Sequence, residues 1–228
     1  MQAVFLVFLI ALLGTMWGRS RFLKIYGQES GNLLSSGVSG AELAEAILRR
    51  SGIGEEVSVV KGRGPLPDFY DHETRRITLS PQHFGAASYS AVAMAALMAG
   101  KAIQHHEGHR PLLWRTASVR WSVYLGLPLV AVGLFAMLLG MNKTLLPLVV
   151  LIWSVLAFWN FLTMPTEIDA SLRAKRVLGD MKPFRNLDER VGVERVMGAA
   201  STAYIDGISV LGSWALRLVL PKGTKQTD

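Results

Sequence analysis

Long uncharged apolar runs constrain this chain more than any other feature. They cover Gln2 to Trp17, Trp121 to Gly140 and Leu145 to Met164. An α-helix rises 1.5 Å per residue, so roughly 20 residues cross a hydrocarbon core of about 30 Å, and the second and third runs have that length. The short linker Met141-Asn142-Lys143-Thr144 joins them as a helical hairpin. The first run is followed by Arg19, Arg21 and Lys24. No basic residue precedes it and no small-residue cleavage site ends it, so it reads as a membrane anchor with its basic end in the cytoplasm rather than as a signal peptide. Arg115 and Arg120 before the hairpin place its start on the same side.

A weaker fourth run, Val196 to Leu220, contains Asp206 and Arg217. Arg217 can snorkel from a helix end, whereas a carboxylate in lipid is costly unless it faces protein or water. Composition agrees with a membrane chain: half of the 228 residues are hydrophobic and the formal charge is +7. The basic residues are scattered beside apolar runs, as suits anionic lipid, and no nucleic-acid motif accompanies them. There is no cysteine, which excludes disulfides and thiolate metal sites.

The expected architecture is therefore a membrane α-helical protein with a small α+β cytoplasmic module and three to four transmembrane helices. Its segments are an anchor at 1–17, the module at 18–120, the hairpin at 121–164, a cytoplasmic helical segment at 165–195, a C-terminal transmembrane helix at 196–220 and a tail at 221–228. The expected location is the bacterial inner membrane, multi-pass, with the main polar module cytoplasmic.

Within the module, Ser39 and Glu42 have capping-box spacing before a helix whose apolar side is Leu43, Ile47 and Leu48. Glu55 to Val60 and Arg75 to Ser80 read as two short strands forming a hairpin, with a turn near His72. Ser80-Pro81 starts a helical region interrupted near Gly85. The Ala/Met-rich stretch after Ser88 is a buried cytoplasmic helix, close-packed because its side chains are small. Beyond the hairpin, a mixed-charge helix starts at Glu167, a break falls at Met181-Lys-Pro-Phe, and a charged helix resumes at Leu187.

Four stretches, Ser36-Gly-Val-Ser-Gly-Ala-Glu-Leu-Ala44, Asp68 to Ser80, Ala102 to His109 and Glu167-Ile-Asp-Ala-Ser171, together resemble the YugP-like bacterial membrane zinc metallopeptidases. The resemblance implies zincin-like (gluzincin-like) core helices and a His-Glu-x-Gly-His motif on the central helix. The corresponding positions here are Leu97, Met98, Ala99, Gly100 and Lys101. The third metal ligand of the family corresponds to Glu167. Two histidines four apart present two imidazoles on one helix face, and the glutamate between them can act as general base on metal-bound water. Leu97 cannot ligate, Met98 cannot accept a proton, and Lys101 brings positive charge where a dication would sit. The expected site is then a pair between Lys101 and Glu167, with Leu97 and Met98 filling the cavity and no cofactor bound.

The expected function is a catalytically inactive membrane homologue with a binding or regulatory role. One alternative is an active metalloendopeptidase with a non-standard zinc site built from Glu167, His105 and His109, with His106 nearby. Another is a small transporter or channel component using Asp206 and Arg217. Expected partners are the lipid bilayer, a membrane protein or peptide segment, and other copies in an oligomer; nucleic acid is excluded. His72 and His83 stand isolated in the sequence.

Overall fold

In the computed structural model, which describes residues 2–64, 67–140, 143 and 145–203, the elements in chain order are α1 (Gln2–Ser30), α2 (Gly40–Arg50), β1 (Ser58–Lys61), β2 (Phe69–Asp71), β3 (Arg76–Leu79), α3 (Pro81–Phe84), α4 (Tyr89–His106), α5 (Pro111–Leu138), α6 (Leu145–Met181) and α7 (Leu187–Ala203). Helices dominate, and three short strands form one open sheet. Helix α4 is central. It packs against α2, α6 and α7, and Val92, Ala95, Ala96, Leu97, Met98 and Ala99 on it are fully buried. Ser88 caps its first turn by accepting from the Ala91 N–H, and the chain turns away at Gly108, whose φ of 69° suits glycine. Ser39 and Glu42 form the reciprocal cap of α2.

The sheet differs from the expected two-stranded hairpin. Its order is β1-β3-β2, with β1 parallel to β3 and β2 antiparallel to it. The turn after Asp71 explains this arrangement. The Asp71 carboxylate accepts from the Glu73 N–H at 2.9 Å and the Thr74 hydroxyl at 2.7 Å. That closes a tight β2–β3 hairpin and leaves β1 to join the other edge of β3. The central strand β3 then buries Ile77 and Leu79 in the helical core.

The expected three to four transmembrane helices and the multi-pass location in a bacterial inner membrane are not what the described residues present. Among them, one helix, over Pro147–Met181, is long and apolar enough to cross a membrane. The other expected spans are engaged differently. Helix α1 continues past Trp17 through Arg19, Arg21 and Lys24 to Ser30, and Phe22, Ile25 and Tyr26 pack on the core. Helix α5 commits its first turns to buried polar contacts with α6, through Arg115, Ser118 and Ser122. The start of the fourth run belongs to α7, where Val196, Met197, Ala199 and Ala200 are buried against protein. Asp206, Arg217 and the rest of that run lie outside the described residues.

Helix α6 also runs unbroken through Pro165, where a span end was expected. A proline inside a helix costs about 3 kcal/mol. The half of α6 after it buries Thr166, Glu167, Ala170, Ala174 and Leu178, and this packing on the core outweighs the local preference.

Glu189 ties the loop after α1 to the start of α7. Its fully buried carboxylate accepts from the Ser35 N–H (2.8 Å), the Ser35 hydroxyl (2.5 Å) and the Arg185 N–H (2.8 Å). Burial pushes its pKa up, but the Ser35 and Arg185 donors outweigh that and hold it below the usual 4.5. A depressed folded-state pKa stabilises the fold fully above the unfolded value, and the contribution is lost as pH falls through the folded one. Unfolding midpoints are therefore expected to drop below about pH 4.5, and Glu189→Gln should flatten that acid limb while lowering stability at neutral pH.

Candidate functional site

Helices α4, α5 and α6 meet around one carboxylate. Glu167 on α6 is 3% exposed. Its Oε2 lies 3.0 Å from Lys101 Nζ on α4, and its Oε1 lies 3.0 Å from Arg115 Nε on α5. The Arg115 side chain is 3% exposed and that of Lys101 is 12% exposed. Two cations on one buried carboxylate keep it charged despite burial.

Arg115 is also held from its other side. Its Nη1 donates to Asn160 Oδ1 at 3.0 Å, and Asn160 Nδ2 donates to the Ser122 hydroxyl at 2.7 Å. The hydroxyls of Ser118 and Thr163 lie 3.2 Å apart beside it. Arg115, Ser118 and Ser122 follow i, i+3, i+7 spacing on α5, and Asn160, Thr163 and Glu167 follow the same spacing on α6. Each set is one helix stripe, and the two stripes face each other. Arg115 read from sequence as a charge flanking a membrane segment. Matching polar stripes inside two apolar helices were the signal that could have placed it in the site.

Leu97 and Met98 are fully buried among core atoms, at 0% solvent accessibility each. Gly100, between them and Lys101, sets the distance from α4 to α6. A Cβ built there would meet the Ala170 carbonyl oxygen at 2.2 Å and the Ala174 Cβ at 3.2 Å. One turn on, Gln104 Nε2 donates to the Thr166 carbonyl at 2.8 Å and to Asp169 Oδ2 at 2.6 Å, fixing the register of α6.

The histidines lie elsewhere. His105 Nδ1 is 2.8 Å from the Tyr70 hydroxyl. Burial pushes the Tyr70 phenol up to about 12, against the lowering effect of Arg75. Burial, then His72, Arg75 and His106, lower the His105 imidazole. Tyr70 and His105 Nδ1 share one hydrogen bond, whose direction is set by the imidazole tautomer. His106 Nδ1 lies 3.5 Å from Glu56 Oε2. His109 follows the Gly108 turn, beyond the end of α4, and its backbone N–H donates to the Gln104 carbonyl. Its four-residue spacing from His105 therefore does not fall on one helix face. The adjoining cavity, lined by Glu56, Tyr70, Arg75 and His105 among others, holds about 70 Å³.

His83 and His72 are not isolated in space. His83 Nδ1 pairs with the buried Asp68 carboxylate at 2.5 Å, and its Nε2 lies 2.6 Å from the Tyr26 hydroxyl. This chain links α1, the residue before β2, and α3. The His72 ring packs edge-on against that of His105, with centroids 6.0 Å apart.

Comparison with known proteins defines the class. The family described as "Putative neutral zinc metallopeptidase" matches residues 4–219, and the chain belongs to that family. It is 33% identical over 221 residues to the Bacillus subtilis (strain 168) protein called "Putative membrane protease YugP", across 95% of this chain and 96% of that protein. No solved structure matches.

The residues at the site do not fit the family's metal. Among the described residues, no three His, Cys, Asp or Glu side chains converge where an ion could sit. Catalytic zinc needs three N, O or S ligands and an open position. Glu167, at the junction of α4, α5 and α6, has both carboxylate oxygens against cations.

Proposed function

We propose that this chain is a catalytically silent homologue of the zinc metallopeptidases, with a binding or regulatory role in place of hydrolysis. In this reading Leu97, Met98 and Lys101 occupy the positions of the metal-binding helix, and the carboxylate that would complete a metal site is neutralised by side chains. The observation that carries it is the Lys101–Glu167–Arg115 cluster, with both cationic nitrogens 3.0 Å from the carboxylate. An ammonium at that distance repels a divalent ion from the Glu167 carboxylate. Leu97 and Met98 supply neither a ligand nor a base.

The alternative site built from Glu167, His105 and His109 has no support in the geometry. Among the described residues no three such side chains converge, and His109 lies beyond the end of α4. The transporter reading depends on Asp206 and Arg217, both outside the described residues.

Hydrolysis of a mixture of fluorogenic peptides by the full chain tests the proposal. The expected rate with added zinc equals that of a blank and is unchanged by EDTA. Cleavage that EDTA abolishes, that zinc restores and that Glu167→Gln removes would overturn the reading.

A further inference from the structure

The face of α5 turned away from α6 has features that the Lys101–Glu167–Arg115 cluster does not use. Leu113, Thr116, Ala117, Arg120, Trp121 and Tyr124 line a cavity of about 260 Å³, closed on one side by His72 of the β2–β3 turn. Their spacing is i, i+3, i+4, i+7, i+8 and i+11, so they form one continuous helical stripe. Trp121 and Tyr124 are 51% and 64% exposed. The Arg120 side chain is also exposed, and its contact with Glu73 Oε1, at 3.4 Å, is long. Both partners are in water, where such a pair is worth little. Arg120 is therefore available to a stronger anion.

Below Tyr124 the stripe becomes wholly apolar while remaining exposed. Val132, Phe135 and Leu138 are 44%, 60% and 83% exposed. From Tyr124 to Leu138 the helix runs about 21 Å, enough for one acyl chain to lie along it. A cationic, aromatic-rimmed pocket thus opens onto an apolar track of acyl-chain length. Amphipathic rings between a polar pocket and an apolar track suit the glycerol region of a single lipid, and a guanidinium suits its phosphate.

We propose that this pocket binds the phosphate headgroup of an anionic phospholipid, with Arg120 on the phosphate, Trp121 and Tyr124 at the glycerol level, and the acyl chain along Val132, Phe135 and Leu138. Glu73 is the competing anion, displaced when the headgroup seats. The site is separate from the Lys101–Glu167–Arg115 cluster and stands whether or not the chain hydrolyses peptides.

The test uses the full chain in mixed detergent micelles containing phosphatidylglycerol or phosphatidylcholine, with retained lipid counted by native mass spectrometry. Phosphatidylglycerol is expected to be retained in preference to phosphatidylcholine. A basic residue near a charged lipid surface contributes about 1 kcal/mol, so Arg120→Gln should reduce that preference about fivefold. Arg120→Lys should retain part of it, and Glu73→Gln should increase it. Arg176→Gln removes the same charge from an exposed position on α6 and should leave the preference unchanged. Equal retention of the two lipids, or equal losses in Arg120→Gln and Arg176→Gln, would overturn the proposal. Saturable binding of soluble glycerol phosphate that requires Arg120, with no preference between the lipids, would also overturn it, because the ligand would then be a free phosphate. Unchanged helical circular dichroism in Arg120→Gln separates loss of binding from loss of fold.

Discussion

Replacing Glu167 with alanine is expected to destabilise the protein by about 3–5 kcal/mol, the usual result of removing one partner from a buried charge cluster. The loss exceeds that of one ion pair because of what remains. Arg115, 3% exposed, and Lys101, 12% exposed, would stay buried without the carboxylate that both contact. For a chain of this size about 1 kcal/mol moves the melting temperature by roughly 2–4 °C, so the variant should melt about 10 °C lower. The two cations are not equivalent. Lys101→Met should cost much less, since Glu167 keeps Arg115 and methionine can fill the space of the lysine stem. Adding Lys101→Met to Glu167→Ala should recover part of the loss, because it removes one of two like charges; that non-additivity is the signature of a shared network. Thermal and urea unfolding of the single and double variants check the order. A Glu167→Ala protein as stable as its parent would mean that the cluster contributes nothing.

Gly100→Ala is expected to be destabilising by about 2 kcal/mol, although alanine is the better helix former by about 1 kcal/mol. The new Cβ would fall 2.2 Å from the Ala170 carbonyl oxygen. That atom belongs to the α6 backbone and cannot rotate aside, so the two helices must separate. Ala170 lies one turn after Glu167, and the separation would draw Glu167 away from Lys101. Gly27 and Gly179 are also helical, with nothing within 4 Å of a Cβ. Alanine at either should stabilise by up to about 1 kcal/mol. Opposite signs at Gly100 and Gly179, measured by urea unfolding, distinguish close helix packing from helix propensity; the same sign at both would contradict the packing account.

The parts of this structure legible in the sequence were those that depend on local chemistry. The Ser39–Glu42 cap, the start of α4 after Ser88 and the helical character of the alanine-rich stretch all follow from residues within a few positions of one another. The family was legible because its motifs recur in order along the chain. Partners distant in sequence were not legible. Arg115 and Glu167 are 52 residues apart, and Arg115 resembles any basic residue flanking an apolar helix. His83 gave no sign of Asp68 or Tyr26. The sheet order was hidden because both hairpin strands and the crossover strand are three or four residues long, too short for periodicity to rank their pairings. The expected membrane spans were misjudged because apolar length alone cannot separate a lipid-facing helix from one that buries itself in protein, as the start of the fourth run does within α7. Pro165 misled for the related reason that a local helix preference yields to the packing of Ala170, Ala174 and Leu178.

The most direct measurement is the zinc content of the purified full chain after incubation with excess zinc and desalting, read by inductively coupled plasma mass spectrometry. With both Glu167 oxygens held by Lys101 and Arg115, the expected result is essentially no retained zinc, in the parent and in Glu167→Gln alike. One zinc per chain in the parent, lost in Glu167→Gln, would contradict the account.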